Sequence, residues 1–361
     1  MKIKGKSKKR IFFVLLNLAL VLVAAACFVG VLSLSKLLDS QRAAERWKGD
    51  SSQDFAQISC YIPVDSKLSL EDIYTFRTAM IKKFHEAALD IDNEGELYND
   101  AWCTTAKVNV SSGIGKGSAA AIAVGGSFFD FHPIRLLSGN YISESDLMKD
   151  RVLLDEDLAW LLFGGTGLDG MELRINGVPF VVAGVIQRED DFASAKAYTA
   201  GMGLYMSYDA YAKLDEKAGI TCYEAVMAEP VDNFALNFAK EKFPIKVGEI
   251  VENSDRYSFG KLFKMLGQFG SRSMQTLGVI YPYWENAARC TEDWASLLLF
   301  LGLLSALLPV VTVTVLAVRY LRRGKNKLED DVLPKLKDSA EEAVRVRQRR
   351  HWEKVHGRHE Q

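Results

Sequence analysis

Histidine, cysteine and proline are all scarce in these 361 residues, at five, five and eight copies. So few prolines exclude a collagen-like chain, and so few cysteines exclude a disulfide knot. An excess of either charge is missing too: 45 Lys+Arg stand against 46 Asp+Glu, a formal net charge of −1. With 48% apolar and 25% charged residues, wholesale disorder is excluded as well.

A phosphate-cradling loop is also missing. Gly113–Ser118, GIGKGS, is the nearest mimic. A P-loop needs four residues between its first Gly and the Gly-Lys pair, then Ser or Thr to reach magnesium. Here Gly117 follows Lys116 and the glycines stand too close, so a flexible connection is the expectation. No G-x-S-x-G elbow appears. His351, His356 and His359 lack H-E-x-x-H spacing, and His85 and His132 have no Cys or His nearby to form a ligand pair. Asp190-Asp191 and Asp330-Asp331 read as solvated loops. The sequence nominates no catalytic, cofactor-binding or metal-binding residue, and the chain reads as a non-enzyme without cofactors.

What is present is a segregation of charge around two apolar runs. Residues 11–35 carry no ionisable side chain except the Cys27 thiol, and residues 295–318 carry none. A hydrocarbon core of ~30 Å needs about 20 helical residues, so each run is long enough to span it. A cleaved signal peptide would have an apolar core of only ~7–15 residues. Ala24-Ala25-Ala26-Cys27 loosely resembles a lipoprotein cleavage box, but Phe28–Leu34 stays apolar where a polar tether belongs. Cys27 therefore reads as a small helix-packing residue. Neither run supplies the buried ionisable groups of a proton relay or ion pathway. Ala26/Gly30 and Gly302/Ala306 allow close helix approach, and Pro309 is a candidate kink.

Residues 1–10 hold six Lys/Arg and no acid; residues 319–361 hold 13 Lys/Arg against eight Asp/Glu. The segment between them is acidic, which argues against binding nucleic acid. By the positive-inside rule both termini are cytoplasmic. The resulting map is a basic cytoplasmic N-terminus (1–10), transmembrane helix 1 (11–35), an extracytoplasmic region (36–294), transmembrane helix 2 (295–318) and a basic cytoplasmic tail (319–361). Arg345, Arg347, Arg349 and Arg350 form the tail's most basic cluster, suited to anionic membrane lipid.

Within 36–294 the pattern predicts an α+β head on helical stalks. Residues 36–49 read as a helix continuing out of the membrane. Phe55–Ile62 alternates as a strand, with Ala56, Ile58, Cys60 and Ile62 on one face. Ser69 caps a helix carrying Ile73, Phe76, Met80 and Phe84 on one stripe. Residues 90–100 read as a solvated loop and Trp102–Ser111 as a strand, giving βαβ. The Gly/Ala/Ser-rich 112–127 reads as a connection and 145–163 as helix-like, stopped by Gly164-Gly165. Met171–Ile175 and Val178–Ile186 flank Asn176-Gly177, a type I′ hairpin signal. Gly203–Ser207 and Thr221–Met227 read as strands. Phe234, Phe238 and Phe243 mark a short helix. Ser254–Met274 reads as a helix with Phe259, Leu262, Phe263, Leu266 and Phe269 aligned, and 275–294 as the returning stalk. Cys60, Cys103, Cys222 and Cys290, all placed outside, permit two disulfides in three pairings, or serve as small core residues.

The segment that begins VGGSFFDF at Val124 continues through LLSGNYISESD and VLLDEDLAWLLFGG, then GMELRINGVPFVVAGVIQRED (170–190). This ordered pattern resembles the extracytoplasmic core domain of MacB-type and FtsX-like ABC transporter permeases. The resemblance covers 36–320 in outline. It implies a head of two subdomains, one of βαβ units and one hairpin-rich insert, and a separate or fused ATPase whose movement reaches the head through the stalks. The family's permeases usually carry three membrane helices after the core domain, where this sequence has one. The expected role is a membrane-anchored permease-like subunit coupling a cytoplasmic ABC ATPase to the head, beside a fuller permease or a second copy of itself. The alternative is a non-transporting sensor or adaptor.

Overall fold

The computed structural model describes residues 3–356 except 64, 65, 67, 88, 90–93, 199, 200, 246, 247, 269–273, 275–280 and 328–332. They fall into two compact units, one made of Met1–Cys27 with Leu301–Gln361 and the other of Phe28–Phe300.

Helix α1 (Ile3–Leu34) is unbroken, and its Lys8–Leu34 stretch is long and apolar enough to cross a membrane. Its polar Asn17 returns its amide to the Phe13 carbonyl at 2.8 Å, satisfying a donor that hydrocarbon could not. The helix does not continue through 36–49 as the sequence suggested. A 3-10 turn at Asp39–Gln41 follows, then a separate short α2 (Ala43–Lys48) closed by Gly49 at φ +49°. The cause is tertiary: the Gln57 side chain accepts from Ala43 N at 2.9 Å and donates to the Ser40 carbonyl at 2.8 Å.

Strand β1 (Phe55–Tyr61) buries Ala56, Ile58 and Cys60 as the alternation predicts. Helix α3 (Leu70–Glu86) begins in a full capping box, Ser69 Oγ accepting from Asp72 N while Asp72 accepts from Ser69 N. Part of the expected 90–100 loop is a helical turn, α4 (Glu94–Leu97), and the start of β2 (Tyr98–Ser111). Asp100 is buried in that strand because Arg77 holds it through two hydrogen bonds and the Tyr223 hydroxyl donates to it.

The Gly/Ala/Ser-rich stretch is not a loose connection. It forms β3 (Lys116–Gly126), antiparallel to β2 along its whole length, and Gly113–Ser118 is the turn and first residues of that hairpin. Alanine and glycine are weak strand formers in isolation, but here bulk is forbidden. A Cβ on Gly125 would lie 2.3 Å from the Trp102 ring, and one on Gly115 would lie 2.2 Å from the Leu161 carbonyl.

A turn of helix, α5 (Phe128–Phe131), and β4 (Leu136–Gly139) follow. The helix-like reading of 145–163 is half right. Arg151–Asp155 is strand β5, and only Glu156–Phe163 is helix, α6. Asp155 Oδ1 caps it by accepting from Leu158 N at 2.7 Å, and Gly164 ends it at φ +76°. Strands β6 (Glu172–Ile175) and β7 (Val178–Ile186) form the hairpin, with Asn176 and Gly177 at φ +50° and +87° as a type I′ turn requires. The short α7 (Ser194–Ala197) precedes β8 (Gly203–Ser207), α8 (Tyr208–Leu214) and β9 (Cys222–Ala228). Helix α9 (Phe234–Lys242) then leads to β10 (Glu249–Glu252), a strand the sequence reading missed.

In the described part of the helix expected over 254–274, α10 (Phe259–Met265) forms, and its Phe259 and Phe263 are exposed rather than packed. Phe269 lies outside the described residues. Helix α11 (Tyr283–Lys327) runs continuously through Pro309, so that proline does not break it, and α12 (Leu333–His356) ends the described chain. Gly30 in α1 meets Leu298 in α11 so closely that a Cβ would lie 2.9 Å from its Cδ1, which agrees with the small-residue reading.

Among the described residues the strands form one ten-stranded sheet in the order β10-β1-β9-β2-β3-β8-β5-β7-β4, with β6 joining β2 and β7. The two subdomains implied by the family resemblance are thus one continuous sheet, joined where β3 pairs in parallel with β8. The opening βαβ unit is present: β1 and β2 both run antiparallel to β9 between them. One sheet face packs on α3 and α9 through Ile58, Phe76, Met80 and Phe238; the other buries Tyr61, Phe128, Tyr205 and Trp284. All five cysteines are free and buried, so the disulfide option is not realised. Cys103 and Cys222 stand opposite one another on β2 and β9, and burial pushes the Cys222 thiol well above its ordinary value.

Candidate functional site

The sequence nominated no site, and the structure builds one from residues it passed over. Arg256 follows β10 and is 2% exposed. Its Nη1 and Nη2 donate to Glu285 Oε2 and Oε1 at 2.6 and 2.9 Å, a two-armed clamp. Its Nε and Nη2 donate to Glu292 at 2.8 and 3.2 Å, and Nη1 also reaches Gln41 Oε1 at 3.1 Å. Five N–H donors thus meet acceptors from the segment after α1 and from the first turns of α11. Arg289, also on α11, donates from Nε to Glu285 at 2.8 Å and from Nη2 to Glu249 of β10. Its guanidinium lies 3.8 Å over the Tyr281 ring.

Burying an ion costs several kcal/mol, offset only by good geometry and saturated hydrogen bonding. Both conditions hold around Arg256. Burial by itself would lower its pKa, but Glu285 and Glu292 raise it well above its ordinary value. The Tyr61 hydroxyl of β1 donates to Glu285 at 2.9 Å. Burial first, and then the Glu285 charge, push that phenol well up.

The polar chain continues into the sheet. Asn253 Nδ2 donates to Ser59 Oγ at 2.7 Å, and Ser59 Oγ donates to Glu224 Oε1 at 2.8 Å. Glu224 Oε2 lies 2.5 Å from His132 Nε2, and the His132 ring packs 4.3 Å from Trp284 of α11. His132, left without a partner by sequence spacing, is therefore paired with a carboxylate 92 residues away. Two routes lead from the sheet to the segment after α1, Gln57 through Ser40 and Ala43, and Arg256 through Gln41. One sequence signal existed for part of this knot: Glu285, Arg289 and Glu292 repeat at helical steps of four and three.

Of the other residues weighed in the sequence, Asp191 caps the start of α7 through Ala193 N and Ser194 N at 2.9 and 3.0 Å. His351 is exposed on α12, while Asp330, Asp331 and His359 lie outside the described residues. Among the described residues no His, Cys, Asp and Glu group could hold a metal ion.

Fold and site together define an α+β domain whose sheet is bolted, through buried ions, to a helix apolar enough to cross a membrane. This chain belongs to the family of MacB-like periplasmic core domains, whose pattern matches residues 14–237. It is a membrane protein with an extracytoplasmic segment. Similar solved structures include the extracellular domain of the noncanonic ABC-type transporter YknZ from Gram-positive bacteria, at 14% identity, covering 52% of this chain and 92% of that one with a TM-score of 0.36. The periplasmic region of MacB from Actinobacillus actinomycetemcomitans is also 14% identical, covering 55% of this chain and 88% of that one at a TM-score of 0.37. No curated protein sequence matches the chain.

Proposed function

We propose that this protein is a permease-like subunit of a MacB/FtsX-type ABC system, coupling a cytoplasmic ATPase partner to the extracytoplasmic head without catalysing a reaction itself. The observation that carries the reading is the Arg256 knot. It joins the segment after α1, through a hydrogen bond to Gln41, and the start of α11, through buried ion pairs, to residues of and beside β1 and β10. Displacement of α11 must therefore move the sheet or break ion pairs, and displacement of α1 must break buried hydrogen bonds. Such a joint transmits force because breaking it exposes or strands charges. The basic flanks of the two apolar runs support a topology with both termini cytoplasmic and residues 36–294 outside. A second copy or a fuller permease completes the membrane assembly.

The test is to purify the protein in mild detergent, alone and with candidate ABC ATPases. Co-purification, with ATPase turnover altered by Arg256→Met, supports coupling. Stable purification with no ATPase bound would favour the sensor or adaptor reading, and hydrolysis by the protein alone would overturn both.

A further inference from the structure

A cavity of about 170 Å³ opens where β3 and β8 meet the first turn of α11. Ala120 and Ile122 of β3 and Tyr205 of β8 line one side, and Tyr198 and Tyr283 line the other. The aromatic wall is braced by its own contacts. Tyr198 and Tyr283 stack with centroids 4.1 Å apart at 21°, and the Tyr205 and Tyr283 hydroxyls lie 3.3 Å apart. The two charged side chains of the lining are committed to one another. Arg188 pairs with Asp155, Asp155 also accepts from Leu158 N and Gly203 N, and the Tyr198 hydroxyl donates to Glu189 at 2.8 Å.

We infer that this cavity binds a small, uncharged molecule built around one aromatic ring. Its size fits: an apolar protein cavity of about 150 Å³ takes up benzene. The lining fits, because tyrosine faces and edges favour offset or edge-on contact with a further ring. The charge state follows from the rim. An ionic ligand would surrender its hydration in a lining whose charged side chains, Arg188 and Asp155, already pair with each other, which disfavours it. A hydroxyl on the ring is accommodated by the long Tyr205–Tyr283 contact, which can open to include it. One wall belongs to the sheet and the other includes α11, so an occupant bridges the same junction as the Arg256 knot. The inference goes beyond the coupling reading and stands without it.

The experiment uses full-length protein in lipid nanodiscs with ¹³C-labelled tyrosine rings, titrated with p-cresol, and with benzoate and benzylamine as charged counterparts. Saturable shifts are expected at Tyr198, Tyr205 and Tyr283 with p-cresol, and binding at least about tenfold weaker for the two ions. Ala120→Leu, which fills the cavity from the strand, should abolish the shifts at an unchanged melting temperature. Where it lowers the melting temperature, Ile122→Phe is read in the same way. Absence of saturable shifts at these tyrosines, shifts that survive the filling variants, or equal affinity for all three probes would overturn the assignment.

Discussion

Arg256 holds Glu285 with both arms of its guanidinium across 29 residues of chain, and both side chains are withdrawn from water. The pair links the end of the sheet domain to the helix that enters the membrane. Because Glu292, Arg256, Glu285 and Arg289 form one buried chain of alternating charge, removal of one member leaves an excess buried charge, and this joint is the place where small chemical changes should have large mechanical and thermodynamic effects.

Arg256→Met should therefore destabilise the Phe28–Phe300 unit by about 3–5 kcal/mol, since Glu285 and Glu292 lose their common counter-ion. Thermal unfolding of the full chain in detergent measures it. Adding Glu285→Gln and Glu292→Gln should recover part of the loss; a triple variant no better than the single one would argue that packing, not charge, is what matters.

The β6–β7 turn makes a separate prediction. Gly177 sits at φ +87° with open space around its Cα. A β-branched side chain there meets backbone strain but no neighbour, so Gly177→Val should cost ~1–3 kcal/mol, whereas Gly177→Asn should cost less, because asparagine tolerates positive φ. Equal melting temperatures for the two variants would count against strain as the cause.

Alkaline pH should weaken the sheet domain. Burial raises the phenols of Tyr61 and Tyr223 well above 10, and burial with the Glu249 hydrogen bond pushes Tyr281 up to about 12. A group whose folded pKa is raised keeps its stabilising contribution below the unfolded value and loses it as pH rises toward the folded one. The contribution of these phenols should thus be constant below pH 10, and stability should fall from there toward pH 12. Tyrosinate absorbance should appear together with unfolding for Tyr61 and Tyr223; free titration near pH 10 without unfolding would contradict their burial.

Topology is testable at the tail. With basic residues flanking both apolar helices, a cysteine at Ala340 in a cysteine-free background should resist membrane-impermeant maleimide in intact cells and react after permeabilisation. Labelling in intact cells would place the tail outside.

Local chemistry made much of this architecture readable. The Ser69–Asp72 capping box, the alternation of Phe55–Tyr61 and the Asn176-Gly177 turn each depend on neighbours a few residues away, and each formed where the pattern put it. The two apolar runs likewise declare themselves, because hydrocarbon tolerates so few side chains over so long a stretch. Tertiary contacts decided the rest. β3 is a strand because it pairs with β2 along its whole length, and its closing glycines are needed where the Trp102 ring and the Asp100 carbonyl leave no room for a side chain. The expected stalk after α1 bends because Gln57 captures its backbone. The knot of Gln41, Ser59, His132, Glu224, Arg256 and Glu285 gathers residues that are ordinary surface types in sequence. Only the folded chain brings them within hydrogen-bond reach and removes the water that would otherwise weaken them.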